Sequence, residues 1–157
     1  MLLAALGACA TQREVGDGRA IVTHVVDGDT IDVRIGGRDE RVRLIGIDTP
    51  ETKKPDTPIE CFGPEASAFT ASILPIGTDV RIERDVVGRD DYGRLLGYVH
   101  VLDQTGSPDI FLNRELVAGG YAVPLAIQPN TTYAGDFAAA ANQAEAHDLG
   151  LWGACSP

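Results

Sequence analysis

Three short polar clusters interrupt the apolar runs of this 157-residue chain. They are "DGDT" from Asp27 to Thr30, "RLIGIDTPE" from Arg43 to Glu51, and "DDYGR" from Asp90 to Arg94. Singly, each reads as an ordinary turn or strand exit. Together they carry complementary chemistry. Hard cations such as Ca2+ bind oxygen: carboxylates, backbone carbonyls and water. Asp29 and Asp48 offer two carboxylates, and Thr49 offers a carbonyl. Glu51 can take a proton from a water or hold that water in place. Arg43 and Arg94 present planar, permanently charged forks that match phosphate oxygens. Such a set can stabilise a phosphoryl centre under attack by water. Asp27, beside the first cluster, reads as a turn residue.

The elements that must position these groups follow from periodicity. "RAIVTHVVDGDTIDVRI" alternates apolar and β-branched residues around Asp27-Gly28, which predicts two strands joined by a tight turn. "GGRDE" supplies a second turn and "RVRLIGI" a third strand. The Pro-rich "ETKKPDTPIECFGP" reads as a loop. Pro64 and Glu65 suit the first turn of a helix carrying Ala66, Phe69, Ile73 and Leu74 at helical spacing. "TDVRIERDVV" and "YGRLLGYVHVL" read as two further strands. "NRELVAGGYA" reads as a short helix closed by Gly119-Gly120. A longer Ala-rich helix follows and ends near Gly150, with Trp152 expected to pack on the core. Five strands with helices after the third and at the end predict an α+β domain, and a five-stranded OB-type barrel has this count.

Length and composition fit one globular domain. The net charge is -10, from 23 acidic and 13 basic residues. That balance argues against nonspecific duplex binding, which normally shows a basic footprint. Ten of the 13 basic residues lie between Arg34 and Arg94, so an anion site must be built there. The N-terminal "MLLAALGACATQ" is too short to span a bilayer. It resembles the end of a secretory segment, and "LGAC" resembles a lipobox that would lipidate Cys9. Residues 1–18 are therefore read as a signal or lipobox-like tail and linker, and 19–157 as the folded domain. Lipidation of Cys9 would leave Cys61 and Cys155 as an even pair, which in an exported protein is expected to form a disulfide, with two free thiols as the alternative. With no C-x-x-C, a zinc or thioredoxin-type site is not expected. His24, His100 and His147 have no metal-ligand spacing, and no P-loop or nucleophile-elbow motif is present.

"VVDGDTI", "VRLIGIDTPET", "CFGPEASAF", "DDYGRLLGYV" and "GLW" resemble, in order and spacing, the motifs of the staphylococcal nuclease (thermonuclease) family. The resemblance covers about Ala20 to Trp152. It implies a five-stranded OB-fold barrel with three helices and Ca2+-dependent hydrolysis of DNA and RNA phosphodiesters. Position by position it implies Asp29 and Asp48 as calcium carboxylates and Thr49 as a backbone oxygen ligand. It likewise implies Glu51 beside the attacking water, Arg43 and Arg94 on phosphate, and Tyr92 near the nucleotide phosphate. The chain departs from the family in being acidic and in having Asp91 where a lysine precedes the tyrosine. "VPLAIQPN" also replaces a segment that carries aromatics in the family.

The expected protein is thus a monomeric nuclease of low sequence specificity, secreted or lipid-anchored at the cell envelope. A non-catalytic OB-fold module that binds nucleic acid is the alternative. Such modules use basic grooves and aromatic platforms, whereas this chain is acidic and poor in aromatics.

Overall fold

The computed structural model describes residues 17–53 and 58–155. Strand β1 (Arg19–Val25) is followed by β2 (Thr30–Ile35), β3 (Arg38–Leu44) and the short β4 (Gly46–Asp48). Helix α1 (Gly63–Ile73) leads into β5 (Asp79–Glu83), β6 (Leu95–Leu102) and β7 (Pro108–Phe111). Helix α2 (Leu112–Ala118), β8 (Val123–Leu125), α3 (Ala134–Ala146) and the single-turn α4 (Leu151–Ala154) complete the chain. Among the described residues no helix is long and apolar enough to cross a membrane.

The main sheet runs β3-β2-β1-β5-β6-β7, and β3 also pairs with β6. That last pairing is parallel, with Val42 opposite Leu95 and Leu44 opposite Gly97. It closes β1, β2, β3, β5 and β6 into a five-stranded barrel, the α+β architecture read from the sequence. The buried strand residues Val22, Ile31, Val33, Val42, Leu44, Val80 and Val99 share one apolar core. β6 is buried over most of its length. Phe111, Tyr133 and Phe137 surround the Tyr98 ring midway along the strand. Gly97 is required in this strand, because a Cβ there would lie 2.5 Å from the Ile82 side chain.

Two features depart from the sequence reading. "RVRLIGI" is not one strand. Gly46, with φ of +78°, turns the chain after β3, and β4 leaves the barrel to pair with β8 inside "VPLAIQPN". Trp152 lies half-buried in α4 and outside the main core cluster. α4, a fourth and very short helix, is held where Leu151 donates its N–H to the Gly120 carbonyl. Gly120 and Gly150 both have positive φ and their backbones touch, leaving no room for a side chain at either.

Candidate active site

The turn from β1 to β2 is locked from three sides. Thr70 of α1 donates its hydroxyl to the Gly28 carbonyl at 2.7 Å. The Leu44 N–H donates to the Asp29 carbonyl at 2.8 Å. A Cβ on Gly28 would lie 2.8 Å from the Thr49 side chain, so only glycine lets the turn reach the β4 exit. Asn113, fully buried in α2, braces the other side. It donates to the Ile45 carbonyl (2.9 Å) and accepts from the Val99 N–H (2.8 Å).

Asp29, only 6 % exposed, is the hub. Its Oδ2 accepts from the Thr49 N–H (2.9 Å) and hydroxyl (2.8 Å), and its Oδ1 from the Thr30 hydroxyl (3.1 Å). Arg43, on β3, joins the two proposed ligand carboxylates. Its Nη1 lies 3.0 Å from Asp29 Oδ2 and its Nη2 2.7 Å from Asp48 Oδ1. Nη1 also donates to the carbonyls of Leu44 (2.8 Å) and Ile47 (3.3 Å). A buried carboxylate needs this degree of compensation.

The surroundings stay rich in negative charge. Burial raises the pKa of Asp48, and Asp29 and Glu60 push it the same way, while Arg43 opposes them. Burial, then the Asp29 charge, raises the pKa of Asp27 as well. Asp27 does serve the turn, accepting from the Asp29 N–H at 3.2 Å, but it also belongs to this acidic cluster. Mutually repelling, partly buried carboxylates are relieved by a cation. The donor set is oxygen only, which suits a hard ion. Among the described residues no three His, Cys, Asp or Glu side chains come together as a set that could hold a metal by themselves. Two carboxylates, completed by backbone oxygen and water, fit a weak, water-rich calcium site.

Arg94 opens β6 from a tight turn in which Asp90 accepts from the N–H groups of Tyr92 and Arg94. Its Nε donates to Asp90 Oδ2 at 2.6 Å. Burial opposes ionisation of Asp90, but the hydrogen bonds and charge of Arg94 outweigh it and hold its pKa below the ordinary range. Among the described residues the terminal nitrogens of Arg94 make no hydrogen bond. One arginine is thus committed to carboxylates, and the other is anchored by one nitrogen with its fork available. Both line a cleft of about 500 Å3 walled by Val87, Leu96, Leu125 and Ile127. Tyr92 is 86 % exposed and stacks 5.5 Å from the Arg94 guanidinium, on the side of a second cleft.

Residues 41–154 match the family model described as staphylococcal nuclease homologue. The chain belongs to the staphylococcal nuclease family. It is 41 % identical over 132 residues to a thermonuclease of Staphylococcus intermedius, covering 84 % of this chain and 74 % of that protein. It is 39 % identical over 131 residues to a thermonuclease of Staphylococcus hyicus, covering 83 % and 73 %. An endonuclease of Bacillus subtilis is 35 % identical over 128 residues, with 81 % of this chain and 58 % of that protein covered. Every motif that carried the family resemblance lies within the matched span except the first, Val25 to Ile31, which precedes it.

Glu51 sits just past β4. Its Oε1 accepts from the N–H groups of Thr52 (2.8 Å) and Lys53 (2.6 Å). Cys61 and Cys155 form the expected disulfide. Cys9 and the rest of the N-terminal tail up to residue 16 lie outside the described residues. Sequence reasoning passed over Asp90 and Glu60. Asp90 had a readable signal, an acid four residues before Arg94 across a Gly turn. Glu60 had none beyond adjacency to Cys61.

Proposed function

We propose that this member of the family is a calcium-dependent nuclease that hydrolyses phosphodiester bonds of DNA and RNA with little sequence preference. The observation that carries the reading is the convergence of Arg43 and Arg94 on one cleft, with Arg43 bridging Asp29 and Asp48. The named activities of the thermonuclease and endonuclease relatives support it.

Asp29, Asp48 and the Thr49 carbonyl would hold Ca2+. When bound, the ion supplies Lewis-acid stabilisation of charge on a phosphoryl oxygen. The remaining work falls to the chain. Arg94 offers its terminal fork to the phosphate, and Asp90 fixes that fork in position. Arg43 neutralises the carboxylates and presents its outer edge to the same cleft. Glu51 orients the attacking water and takes its proton. Tyr92, beside Arg94, flanks the nucleotide. The aliphatic wall of Leu125 and Ile127 gives a base apolar contact without ring stacking, consistent with low sequence preference.

The folded domain is assigned to residues 19–157, following a tail over 1–18. A disulfide persists in oxidising compartments, which favours action outside the cytoplasm. Lipid attachment at Cys9 would then hold the enzyme at the envelope, with the domain acting as a monomer.

The test is incubation of the purified protein with single- and double-stranded DNA and with RNA, in Ca2+ and in excess chelator. Cleavage with Ca2+ that stops with chelator is expected. Mg2+, smaller and stricter in geometry, should not restore full activity. Tight binding without cleavage would replace this reading with a nucleic-acid-binding module. Robust cleavage in chelator would remove the calcium role.

A further inference from the structure

Glu60 holds both backbone polar groups of Glu51. The Glu51 N–H donates to Glu60 Oε2 at 2.9 Å, and the Glu60 N–H donates back to the Glu51 carbonyl at 3.0 Å. The arrangement closes the ends of the loop between β4 and α1. Behind it the chain is fixed covalently, because the next residue, Cys61, is bonded to Cys155 just after α4. Packing fixes it as well. A Cβ on Gly63 would lie 2.7 Å from the Thr52 side chain and 3.2 Å from the Glu51 carbonyl. The Glu51 backbone is therefore pressed against the start of α1.

The use of a carboxylate here has a cost. Glu60 shares a cavity with Asp48, so its carboxylate adds negative charge beside the acidic cluster. Asp48, Thr49, Glu60, Cys61 and Cys155 line one cavity of about 310 Å3. A charged acceptor makes a stronger bond to a backbone N–H than a neutral one. In this position it grips the residue whose side chain must meet the attacking water.

We propose that Glu60 is a positioning residue for Glu51 and that the Cys61–Cys155 disulfide braces it. The proposal rests on the reading of Glu51 as the residue that handles the water. In this role Glu60 acts through Glu51 rather than on the substrate itself. It sets where the Glu51 carboxylate stands, and displacing a catalytic group by about 1 Å can cost roughly 100-fold in rate.

The experiment uses the full folded chain with Ca2+ and single-stranded DNA. It compares Glu60→Ala, Glu60→Gln and the paired Cys61→Ser, Cys155→Ser variant, each alone and combined with Glu51→Gln. Turnover, KM and amide hydrogen exchange at Glu51 are read together. Glu60→Ala should lower kcat by about 10- to 100-fold with KM nearly unchanged and should speed exchange of the Glu51 amide. Glu60→Gln keeps an acceptor oxygen and should recover most of both. Loss of the disulfide should shift both readouts the same way by less. In the Glu51→Gln background these losses in kcat should largely vanish. A folded Glu60→Ala variant with normal kcat, or one whose loss is just as large in that background, would overturn the proposal. So would a Glu60→Gln variant that protects the Glu51 amide yet loses activity, a result readable even if the alanine variant fails to fold. If Glu51→Gln itself turns over normally, the role of Glu51 falls first and the positioning role with it.

Discussion

At the scale of single residues the two arginines are not equivalent. Arg43 is bound to two carboxylates and two carbonyls. Among the described residues the Arg94 guanidinium is held by Asp90 through Nε, with its terminal nitrogens unbonded. Arg94→Lys keeps the charge but removes both the fork and the Nε that Asp90 grips. Its kcat should fall by about 100- to 1000-fold with KM little changed, the size of a lost preorganised charge contact. Arg43→Lys should do more than slow turnover. It leaves Asp29 and Asp48 poorly compensated, so the calcium concentration needed for half-maximal activity should change as well. Calcium titration of both lysine variants separates the two behaviours, and a shift confined to Arg94→Lys would reverse the assignment. Glu51→Gln should slow turnover while melting temperature and calcium response stay near those of the parent. Combining it with Arg94→Lys should cost less than the product of the single losses, because groups acting on one transition state are not additive.

Among the elements, β4 decides whether the site exists. It carries Asp48, leads the chain toward Thr49 and Glu51, pairs with β8, and is tied to β3 where Arg43 bonds the Ile47 carbonyl and Asp48. Gly46 makes this possible. Its φ is +78°, and a Cβ would sit 2.5 Å from the buried Phe137 ring of α3. Gly46→Ala should destabilise the fold by about 1–3 kcal/mol from backbone strain alone, with the clash in addition. Gly36→Ala is the control, since Gly36 also has positive φ but faces open space. Chemical denaturation of the pair measures the difference. Equal losses would mean that Phe137 yields freely and that β4 is less tightly placed than the packing indicates.

Over the whole molecule, charge and covalent closure set the behaviour. The net charge is -10. Arg34, Arg41 and Arg89 are each paired with an acid, Asp39, Asp32 and Glu40 respectively. Few cations are left for phosphate, so binding to duplex DNA should show a log–log salt slope of roughly -2 to -4, at about -0.9 per neutralised phosphate. A slope near -10 would reveal a basic surface, for which these paired arginines would be the source. The disulfide spans a sequence separation of 94 residues and joins the loop before α1 to the C-terminal turn. Chain entropy assigns such a closure about 4.7 kcal/mol, often less in practice. Removing it should lower Tm by several degrees, up to roughly 15 °C, with cooperative unfolding kept. A calorimetric scan with unchanged Tm would show that the C-terminus is held by packing alone.

The sequence by itself determined whatever depends on near neighbours. Alternation gave the strands of the barrel, Pro64 and the Gly119-Gly120 pair marked helix ends, and the three polar clusters supplied the types of donor. Asp90, four residues before Arg94, carried a local signal of the same kind, though the sequence reading passed over it. What only the tertiary structure decided depends on residues far apart in the chain. Thr49 reaches back 20 positions to donate to Asp29, and the fully buried Asn113 reaches back 68 to the Ile45 carbonyl. Three- and four-residue strands such as β4, β7 and β8 are too short to show a period, and they form because a partner strand is already in place. Glu60 looked like one more acid in a loop. Its role emerged once the chain closed the loop on Glu51 and the disulfide fixed the neighbouring residue. Periodicity reports which face of an element is apolar, whereas the pairing of two distant polar groups is selected by the packing that buries them together.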